Sequence, residues 1–255
     1  MEGRGLSRRL ETKRGNTIVA FPHGHPMKSL SSEEGDSDLL AEAARKLFKI
    51  RYAGTDGHLH SASFLVQRRY AWRGYQISFP MAMQANRITL SAYDRDDVVA
   101  TISIGVDSRN GLFVDALFMD ELESLRAPNR RVCEFTRLAI DEALRSKPVI
   151  AALFHTAYIY ARRIRACTDL VVEVNPRHVK FYERMLGFHA FGPVRDDPRV
   201  QAPATLLHLD LRHAEAQIAK FGGNAELAAR IRSLYPFFFA PREEAGIELR
   251  LRAFD

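Results

Sequence analysis

Residues 131–188 decide the fold of this chain, and they read RVCEFTRLAIDEALRSKPVIAALFHTAYIYARRIRACTDLVVEVNPRHVKFYERMLGF. The first part, Val132–Ile140, is apolar and β-leaning, although Glu134 and Arg137 are set into it. Residues 148–161 are apolar nearly all round, which predicts a buried helix. Asp169–Val174 is a short apolar run of the kind found in buried strands. The stretch therefore predicts a strand, a helix and a second strand in succession.

A second helix is predicted directly after this strand. Asn175 and Pro176 end the apolar run, and Gly187 stands where a helix C-cap belongs. Between them, bulky side chains recur at helical spacing and share one face. They are His178, Phe181, Tyr182, Met185 and Leu186.

The segment NPRHVKFYERMLGF resembles the final motif of the GNAT acyltransferase superfamily. Together with CEFTRLAID and SKP, it looks like the bacterial N-acyl amino acid synthases, which are relatives of the acyl-homoserine-lactone synthases. That family uses long-chain acyl groups carried on acyl carrier protein. The resemblance covers roughly residues 40–213.

The resemblance implies a mixed α/β GNAT fold. Its central sheet would have seven mostly antiparallel strands, flanked by helices, and would splay between the fourth and fifth strands. Here those strands would be Val132–Ile140 and Asp169–Val174. In the family, the pantetheine arm of an acyl thioester enters the gap between them.

One departure from the wider superfamily concerns the donor. Most GNAT enzymes place glycines after the fourth strand, where backbone N–H groups close on the pyrophosphate of coenzyme A. Residues 138–151 of this chain, LAIDEALRSKPVIA, contain no glycine, and Pro148 stands near the start of the helix. We therefore expect no bound cofactor and an acyl-acyl carrier protein donor, with coenzyme A as the alternative.

Three regions are expected along the 255 residues. Residues 1–40 are polar and read as a flexible N-terminal arm. Residues 41–213 would form the acyltransferase domain, with a strand at Leu47–Tyr52, a helix over 61–75 capped by Ser61 or Ser63, and a hairpin at 88–106. Residues 214–255 would form a C-terminal extension with a helix over 225–234.

Three phenylalanines between prolines, at 236–241, mark this extension. We expect them to pack on the domain. The alternatives are a lid over an acyl tunnel, a contact between subunits, or a peripheral contact with a membrane surface.

Charge and composition narrow the partners and the compartment. The net charge of +6 suits an acidic carrier protein, whereas no recognisable nucleic-acid motif accompanies it. No apolar run is long enough to span a membrane, and the N-terminus lacks the apolar region of a secretory signal. Cys133 and Cys167 read as reduced core thiols, so we expect a cytoplasmic protein. No metal-ligand pattern is apparent.

The predicted reaction is the transfer of a fatty acyl group to the amine of an amino acid. The amine must lose a proton, and the departing thiolate gains one. Glu134, an acid inside an apolar strand, is the predicted base, and the resemblance also places a Glu there. Tyr182 is the predicted acid, although a tyrosine on an apolar stripe is often part of a core.

Two further sets of residues are predicted around this chemistry. Arg137, Leu138 and Asn175 would bind the acyl donor or the substrate carboxylate, with the backbone near Leu138 polarising the thioester as the resemblance implies. On the first helix, Arg68, Arg69 and Trp72 would border the acceptor site, with either arginine gripping a carboxylate. A solvated basic face is the plainer explanation for the two arginines.

Five basic residues are candidates for docking the acidic carrier protein. They are Arg145, Lys147, Arg162, Arg163 and Arg165, of which the last three also suit the C-terminal end of a helix. Other functions stay open: an acyl-homoserine-lactone synthase, an acyl-coenzyme A-dependent enzyme, or a GNAT-fold module that binds a carrier or lipid without catalysis.

Overall fold

A computed structural model of the chain describes residues 16–22, 47–75, 85–142 and 146–254. The predicted docking residue Arg145 lies outside these ranges, as does most of the predicted N-terminal arm. Within them, the chain forms nine strands of one mixed sheet. They are β1 Thr17–Pro22, β2 Leu47–Tyr52, β3 Arg87–Asp94, β4 Asp97–Val106, β5 Val132–Ile140, β6 Asp169–Val174, β7 His189–Ala190, β8 Arg195–Asp197 and β9 Ala202–Asp210.

Helices flank this sheet. Among the described residues they are α1 Asp56–Ala71, α2 Asp115–Leu125, α3 Lys147–Tyr158, which continues as the π-helix Ile159–Ile164, α4 Val179–Leu186, α5 Leu211–Phe221, α6 Ala225–Ala228 and α7 Pro241–Leu251. None of these helices combines the length and apolar character that crossing a bilayer requires.

The sheet runs in the order β1-β2-β3-β4-β5-β6-β9-β7, with β8 paired to β9. All of its pairs are antiparallel except β5 with β6. The expected mixed α/β fold with a mostly antiparallel sheet is therefore confirmed. Two details differ: Thr17–Pro22, assigned to the flexible arm, forms an edge strand, and the described residues form nine strands where seven were expected.

Alternation along the central strands fills two cores, one on each face of the sheet. Val132, Val171 and Leu206 point to the smaller core, beneath α2. Their neighbours Cys133, Leu170 and Leu207 point to the larger core, which α3 covers. Both cysteines are free and buried, as expected.

The first helix begins earlier than the sequence analysis predicted. Thr55 is its N-cap, and the Thr55 hydroxyl accepts a hydrogen bond of 3.3 Å from the backbone N–H of His58. The predicted caps Ser61 and Ser63 lie inside the helix. The side-chain hydroxyl of Thr55 satisfies a free N–H of the first turn, so the helix begins here and not at Ser61 or Ser63.

The splay between β5 and β6 is the feature that positions the site. These strands pair only over Val132–Asp169, Cys133–Leu170 and Glu134–Val171. Beyond Glu134 they diverge, while β6 stays paired with β9 as far as Val174 and Thr205. The sequence analysis predicted this splay at the same two strands.

A β-bulge in β5 changes which side chains reach the gap. Thr101 of β4 pairs with Ala139 and Ser103 pairs with Thr136, so two residues of β5 lie opposite Ile102 alone. One of the two, Arg137, has a φ of 52°, in the left-handed region. A bulge of this kind bends the strand and re-aims its side chains.

The C-terminal extension belongs to the same core as the domain. Phe238 and Phe239 are buried, and Ile247 and Leu251 of α7 join the larger core. The backbone N–H of Phe239 donates a 2.9 Å hydrogen bond to Nδ1 of the buried His155 on α3. The default expectation that the phenylalanines pack on the domain is confirmed, and the buried rings are not available for a membrane contact.

Two boundaries predicted for the C-terminal extension differ from the helix boundaries in the structure. Residue 213 lies inside α5, so the predicted junction falls within a helix. The predicted helix over 225–234 ends at Ala228. Beyond it, the N–H of Leu234 donates to the carbonyl of Met185 at 2.9 Å, a tertiary contact that takes the chain out of the helical path.

The packing of the extension gives a first testable expectation. Replacing the fully buried Phe239 with alanine should lower the free energy of unfolding by about 3–5 kcal/mol, because it leaves a cavity in the shared core. Urea unfolding measures the change, with Leu249→Ala as the control since Leu249 is 73% exposed. Equal stability of the two variants would contradict the shared core.

Candidate active site

A cavity of about 880 Å³ opens where β5 and β6 diverge. It lies between α1, the second half of β5, the end of β6, the start of β9 and α4. One part of its wall is apolar, formed by residues such as Leu138, Ile140, Ile150, Val174 and Phe181. The rest carries charges, from Arg69, Arg73, Arg137, Asp141, Glu142, Glu173, Asp197 and Arg199. A cavity of this size that combines apolar walls with a few charged groups is typical of a small-molecule site.

Glu134, the predicted base, lies behind the cavity wall and is fully buried. Its carboxylate forms an ion pair with Arg87 of β3. It also accepts backbone hydrogen bonds from Phe113 at 3.0 Å and Val114 at 3.1 Å. Because three donors occupy its two oxygens, this carboxylate is built to hold the fold together. Glu134 is therefore a strand glutamate paired with a basic neighbour.

Gly105 of β4 leaves the room for this ion pair. A Cβ atom at this position would lie 2.9 Å from both Nη2 of Arg87 and Oε1 of Glu134. Arg87 also donates to the hydroxyl of Thr136 at 3.0 Å, and its guanidinium stacks 3.8 Å from the ring centroid of Phe113. The ion pair between Arg87 and Glu134 is therefore packed closely against Gly105, Thr136 and Phe113.

Arg137 and Leu138, predicted to bind substrate, both line the cavity. The bulge places them there. Arg137 stacks over the ring of Phe113 at 5.0 Å, and burial together with the neighbouring Arg87 lowers the pKa of its guanidinium. Strict alternation along β5 would place Glu134 and Arg137 on opposite faces, and the bulge interrupts this alternation.

Tyr182, the predicted acid, also lines the cavity, and its ring is buried. It packs edge-on against Phe154 and Phe188, with centroid distances of 6.2 Å and 5.4 Å. Burial, with a smaller effect of Tyr70, raises the pKa of its phenol. The hydroxyl therefore keeps its proton at neutral pH, which suits a proton donor, while the ring serves the core.

Asn175 lines the cavity and also fixes the end of β6. Its side-chain oxygen accepts a hydrogen bond of 3.2 Å from the N–H of Arg177, and its amide nitrogen donates to the carbonyl of Pro203 at 3.1 Å. Asn175 is therefore the N-cap of the short helical turn Pro176–His178. The cavity wall formed by β6 and β9 depends on these bonds.

The three predicted residues of α1 separate in the structure. Arg69 lines the cavity, lies 3.4 Å from the carboxylate of Glu142 and stacks 5.0 Å from the ring of Trp72. Arg68 does not line the cavity, although its partner Asp141 does. Trp72 also lies outside the cavity lining and is 59% exposed. Helical spacing explains the difference, since only part of the helix faces the gap.

The predicted docking residues do not form one patch. Lys147 begins α3, whereas Arg162, Arg163 and Arg165 follow it by four turns, about 25 Å away along the helix axis. Arg162 is paired with Glu215 at 2.9 Å, and Arg163 is paired with Glu244 of α7 at 3.0 Å. These contacts attach α5 and α7 to the π-helix.

A different basic surface adjoins the cavity. Lys147, Lys180, Arg184 and Arg232 surround the apolar side chains of Phe181 and Met185 in a shallow groove of about 350 Å³. We call this surface the basic groove. Phe181 lines both the groove and the cavity, so the two adjoin at this side chain.

A charged cluster on the wall formed by β6, β8 and β9 was not predicted from the sequence. Glu173 is the penultimate residue of β6, and Asp197 and Arg199 come from β8 and the loop that follows it. Glu173 carries the same signal as Glu134, an acid inside an apolar strand. Nothing in the loop sequence pointed to Asp197 or Arg199, because their place depends on how β8 folds onto β9.

Tyr70 and Tyr75 add aromatic groups at the α1 side. Burial is the main cause that raises the pKa of Tyr70 to about 12, with Glu173 and Tyr75 adding to it and Arg137 opposing it. These interactions place both Glu173 and Arg137 near the same phenol. Among the described residues, no group of three or more potential metal ligands is present.

Comparison with known proteins agrees with the fold. The family model of the N-acyl amino acid synthase FeeM matches residues 61–210. The solved structure of FeeM, from uncultured soil microbes, is 28% identical with a TM-score of 0.60, and the match covers 66% of this chain and 97% of that one. The AHL synthase LasI is 15% identical with a TM-score of 0.50, covering 64% and 90% of the two chains, which shows a shared fold. No curated protein sequence matches the chain.

The fold and the cavity at the splayed strands define a GNAT-type N-acyltransferase. The chain belongs to the FeeM family of N-acyl amino acid synthases.

The geometry of Glu134 leads to a second expectation. Glu134→Gln should lower the free energy of unfolding by about 3 kcal/mol, because it leaves the charge of Arg87 buried without its counterion. Glu121→Gln is a control, since the Glu121–Arg195 pair lies outside the cavity and should contribute at most about 1 kcal/mol. Urea unfolding measures both. If Glu134→Gln kept full stability and lost all activity, Glu134 would be the base after all.

Proposed function

We propose that this enzyme transfers a long-chain acyl group from acyl carrier protein to the amine of an amino acid. One observation carries the proposal: the gap between β5 and β6 opens into a cavity lined by both apolar side chains and arginines. The apolar wall suits a fatty acyl chain, and the arginines suit a carboxylate.

The cavity residues suggest how the substrates lie. Arg137 and Arg69 bind the acceptor carboxylate, because both guanidinium groups face the cavity. The backbone around Leu138 has no strand partner in β6, so its polar groups are available to the pantetheine arm and the thioester carbonyl. Tyr182 holds a proton for the departing thiolate. In this arrangement Glu134 orients β5 and the neighbouring turn.

Charges at the cavity mouth favour a carrier protein over coenzyme A. Asp141 and Glu142 lie on the cavity wall just after β5, where a pyrophosphate would approach. Pro148, in the first turn of α3, offers no N–H. Two carboxylates and a missing donor make this end of the cavity a poor site for a nucleotide.

The basic groove suits the docking of an acidic carrier protein. Its four cations surround exposed apolar atoms, and Phe181 connects it to the cavity. A carrier protein seated there would have its pantetheine arm directed at the gap between β5 and β6. We propose this groove in place of a patch that includes Arg162, Arg163 and Arg165. The cytoplasm, where free thiols stay reduced, is the proposed location.

A donor assay tests the proposed function. Purified protein is incubated with long-chain acyl-acyl carrier protein or with acyl-coenzyme A of the same chain length, together with a pool of amino acids, and products are identified by mass spectrometry. We expect an N-acyl amino acid with the carrier-protein donor at a rate at least about tenfold above that with coenzyme A.

The other outcomes of this assay are equally informative. Turnover with coenzyme A alone would overturn the argument from Asp141, Glu142 and Pro148. No product with either donor would overturn the proposed acceptor.

Charge reversal in the basic groove tests the docking surface. The double variant Lys180→Glu/Arg184→Glu should raise KM for the acyl-carrier donor at least about tenfold and leave kcat within about twofold, because only the encounter is weakened. Arg212→Glu is the matched control, since Arg212 is exposed beside the end of β9 opposite to the cavity. A KM that changes equally in both variants, or does not change, would argue against the groove.

A further inference from the structure

Three side chains form a closed cluster on the β6–β9 wall of the cavity. Nη2 of Arg199 lies 2.7 Å and 2.6 Å from the two carboxylate oxygens of Glu173. Nε and Nη2 of the same guanidinium donate to the carboxylate of Asp197, at 2.8 Å and 3.0 Å. Nη1 donates to the carbonyl of Phe113 at 2.8 Å. One arginine thus holds two carboxylates side by side.

The cluster faces the space where the substrates meet. Glu173, Asp197 and Arg199 all line the cavity, although only 15% of the Glu173 side chain and 3% of the Asp197 side chain are exposed. Other ionisable side chains line the same cavity. They are Arg69, Tyr70, Arg73, Tyr75, Arg137, Asp141, Glu142, His178 and Tyr182. Glu134, by contrast, lies outside this wall.

The two carboxylates have opposite tendencies to ionise. Burial is the main cause that raises the pKa of Glu173 to about 7, while Arg199 opposes this effect and Asp197 adds to it. For Asp197, burial also acts against ionisation, but hydrogen bonds from the side chain and backbone of Arg199 prevail and lower its pKa. Near neutral pH, Asp197 is ionised while Glu173 exchanges its proton.

We propose that Glu173 is the general base of this enzyme and that Asp197 and Arg199 are positioning residues that set when it ionises. The inference rests on the proposed function. It replaces the sequence-based assignment of the base to Glu134 and uses a pair of carboxylates with contrasting environments, a common way to obtain a base that works at neutral pH.

The acceptor nitrogen loses two protons during the transfer. The acceptor enters as an ammonium group, and the carboxylate of Glu173 takes one proton from it. The neutral amine attacks the thioester carbon, so that a C–N bond forms and the C–S bond breaks. The second proton lost from nitrogen goes to the thiolate, directly or through Tyr182. The products are an amide and a thiol, and Glu173 then releases its proton to water.

A purely structural ion pair is the competing explanation, in which Arg199 only fastens the loop after β8 to β6. The two explanations differ in the pH dependence of the rate. A base must be ionised, so kcat/KM should rise with pH through the apparent pKa of the pair. A fastening pair would change stability without moving this profile.

Two variants should move the profile in opposite directions. Asp197→Asn removes a negative charge that raises the pKa of Glu173, so the rise should shift to lower pH by about one unit. Arg199→Gln removes the positive charge that lowers it, so the rise should shift to higher pH by about the same amount. Arg199→Lys keeps the charge and should keep the wild-type profile, even though it forms fewer hydrogen bonds.

The experiment compares rate-pH profiles of the full-length wild-type protein with those of these variants, Glu173→Gln and Glu121→Gln. The Glu121 side chain is 14% exposed and ion-paired like Glu173, so it is a matched control outside the cavity. Thermal unfolding of each variant checks its fold. We expect Glu173→Gln to lower kcat at least about 10²-fold, with a smaller change in KM, and its residual rate to keep rising above pH 8 as the amine deprotonates by itself.

The outcomes separate the two proposals. Opposite shifts in Asp197→Asn and Arg199→Gln, with Glu121→Gln unchanged, would support the assignment. Product formation with an unshifted profile, or with full activity in a folded Glu173→Gln protein, would overturn it and leave the proposed function intact. No product from the wild-type protein with any donor would overturn both.

Discussion

The buried ion pair between Arg87 and Glu134 fixes the point on which the site depends. Glu134 is the last residue of β5 that pairs with β6. Its carboxylate also binds the N–H groups of Phe113 and Val114, so a single side chain joins β3, β5 and the turn that precedes α2. Burying two charges costs several kcal/mol per ion, and only a complete set of partners offsets this cost. The point at which β5 and β6 separate is therefore fixed at Glu134.

The cavity follows from this separation of β5 and β6 and from the bulge beside it. Strands that diverge leave backbone groups without partners, and such groups are costly unless they face water or a ligand. The bulge at Arg137 and Leu138 adds side chains to the same opening. Backbone donors, an arginine and an apolar wall thus meet in one place, which is what binding and polarising an acyl thioester requires.

The wall formed by β6, β8 and β9 carries a second group of charged side chains. Arg199 reaches from the loop after β8 to Glu173 at the end of β6 and to the carbonyl of Phe113. Phe113 is also bound by Glu134 through its N–H. The Arg87–Glu134 pair and the Glu173 cluster therefore share one turn, and a change in either one acts on the geometry of both sides of the cavity.

The sequence by itself determined the order of the central elements, the location of the splay and the family, because these depend on local apolar runs and on the NP motif at 175–176. It also found Arg137, Leu138, Asn175, Tyr182 and Arg69 as cavity residues. Tertiary structure decided the rest. Whether a strand glutamate faces a cavity or an arginine depends on β3, which lies far away in sequence, and the same holds for Arg163 and Glu244. Glu173 and Arg199 meet only because β8 and β9 fold back beside β6, and no local pattern encodes such a contact.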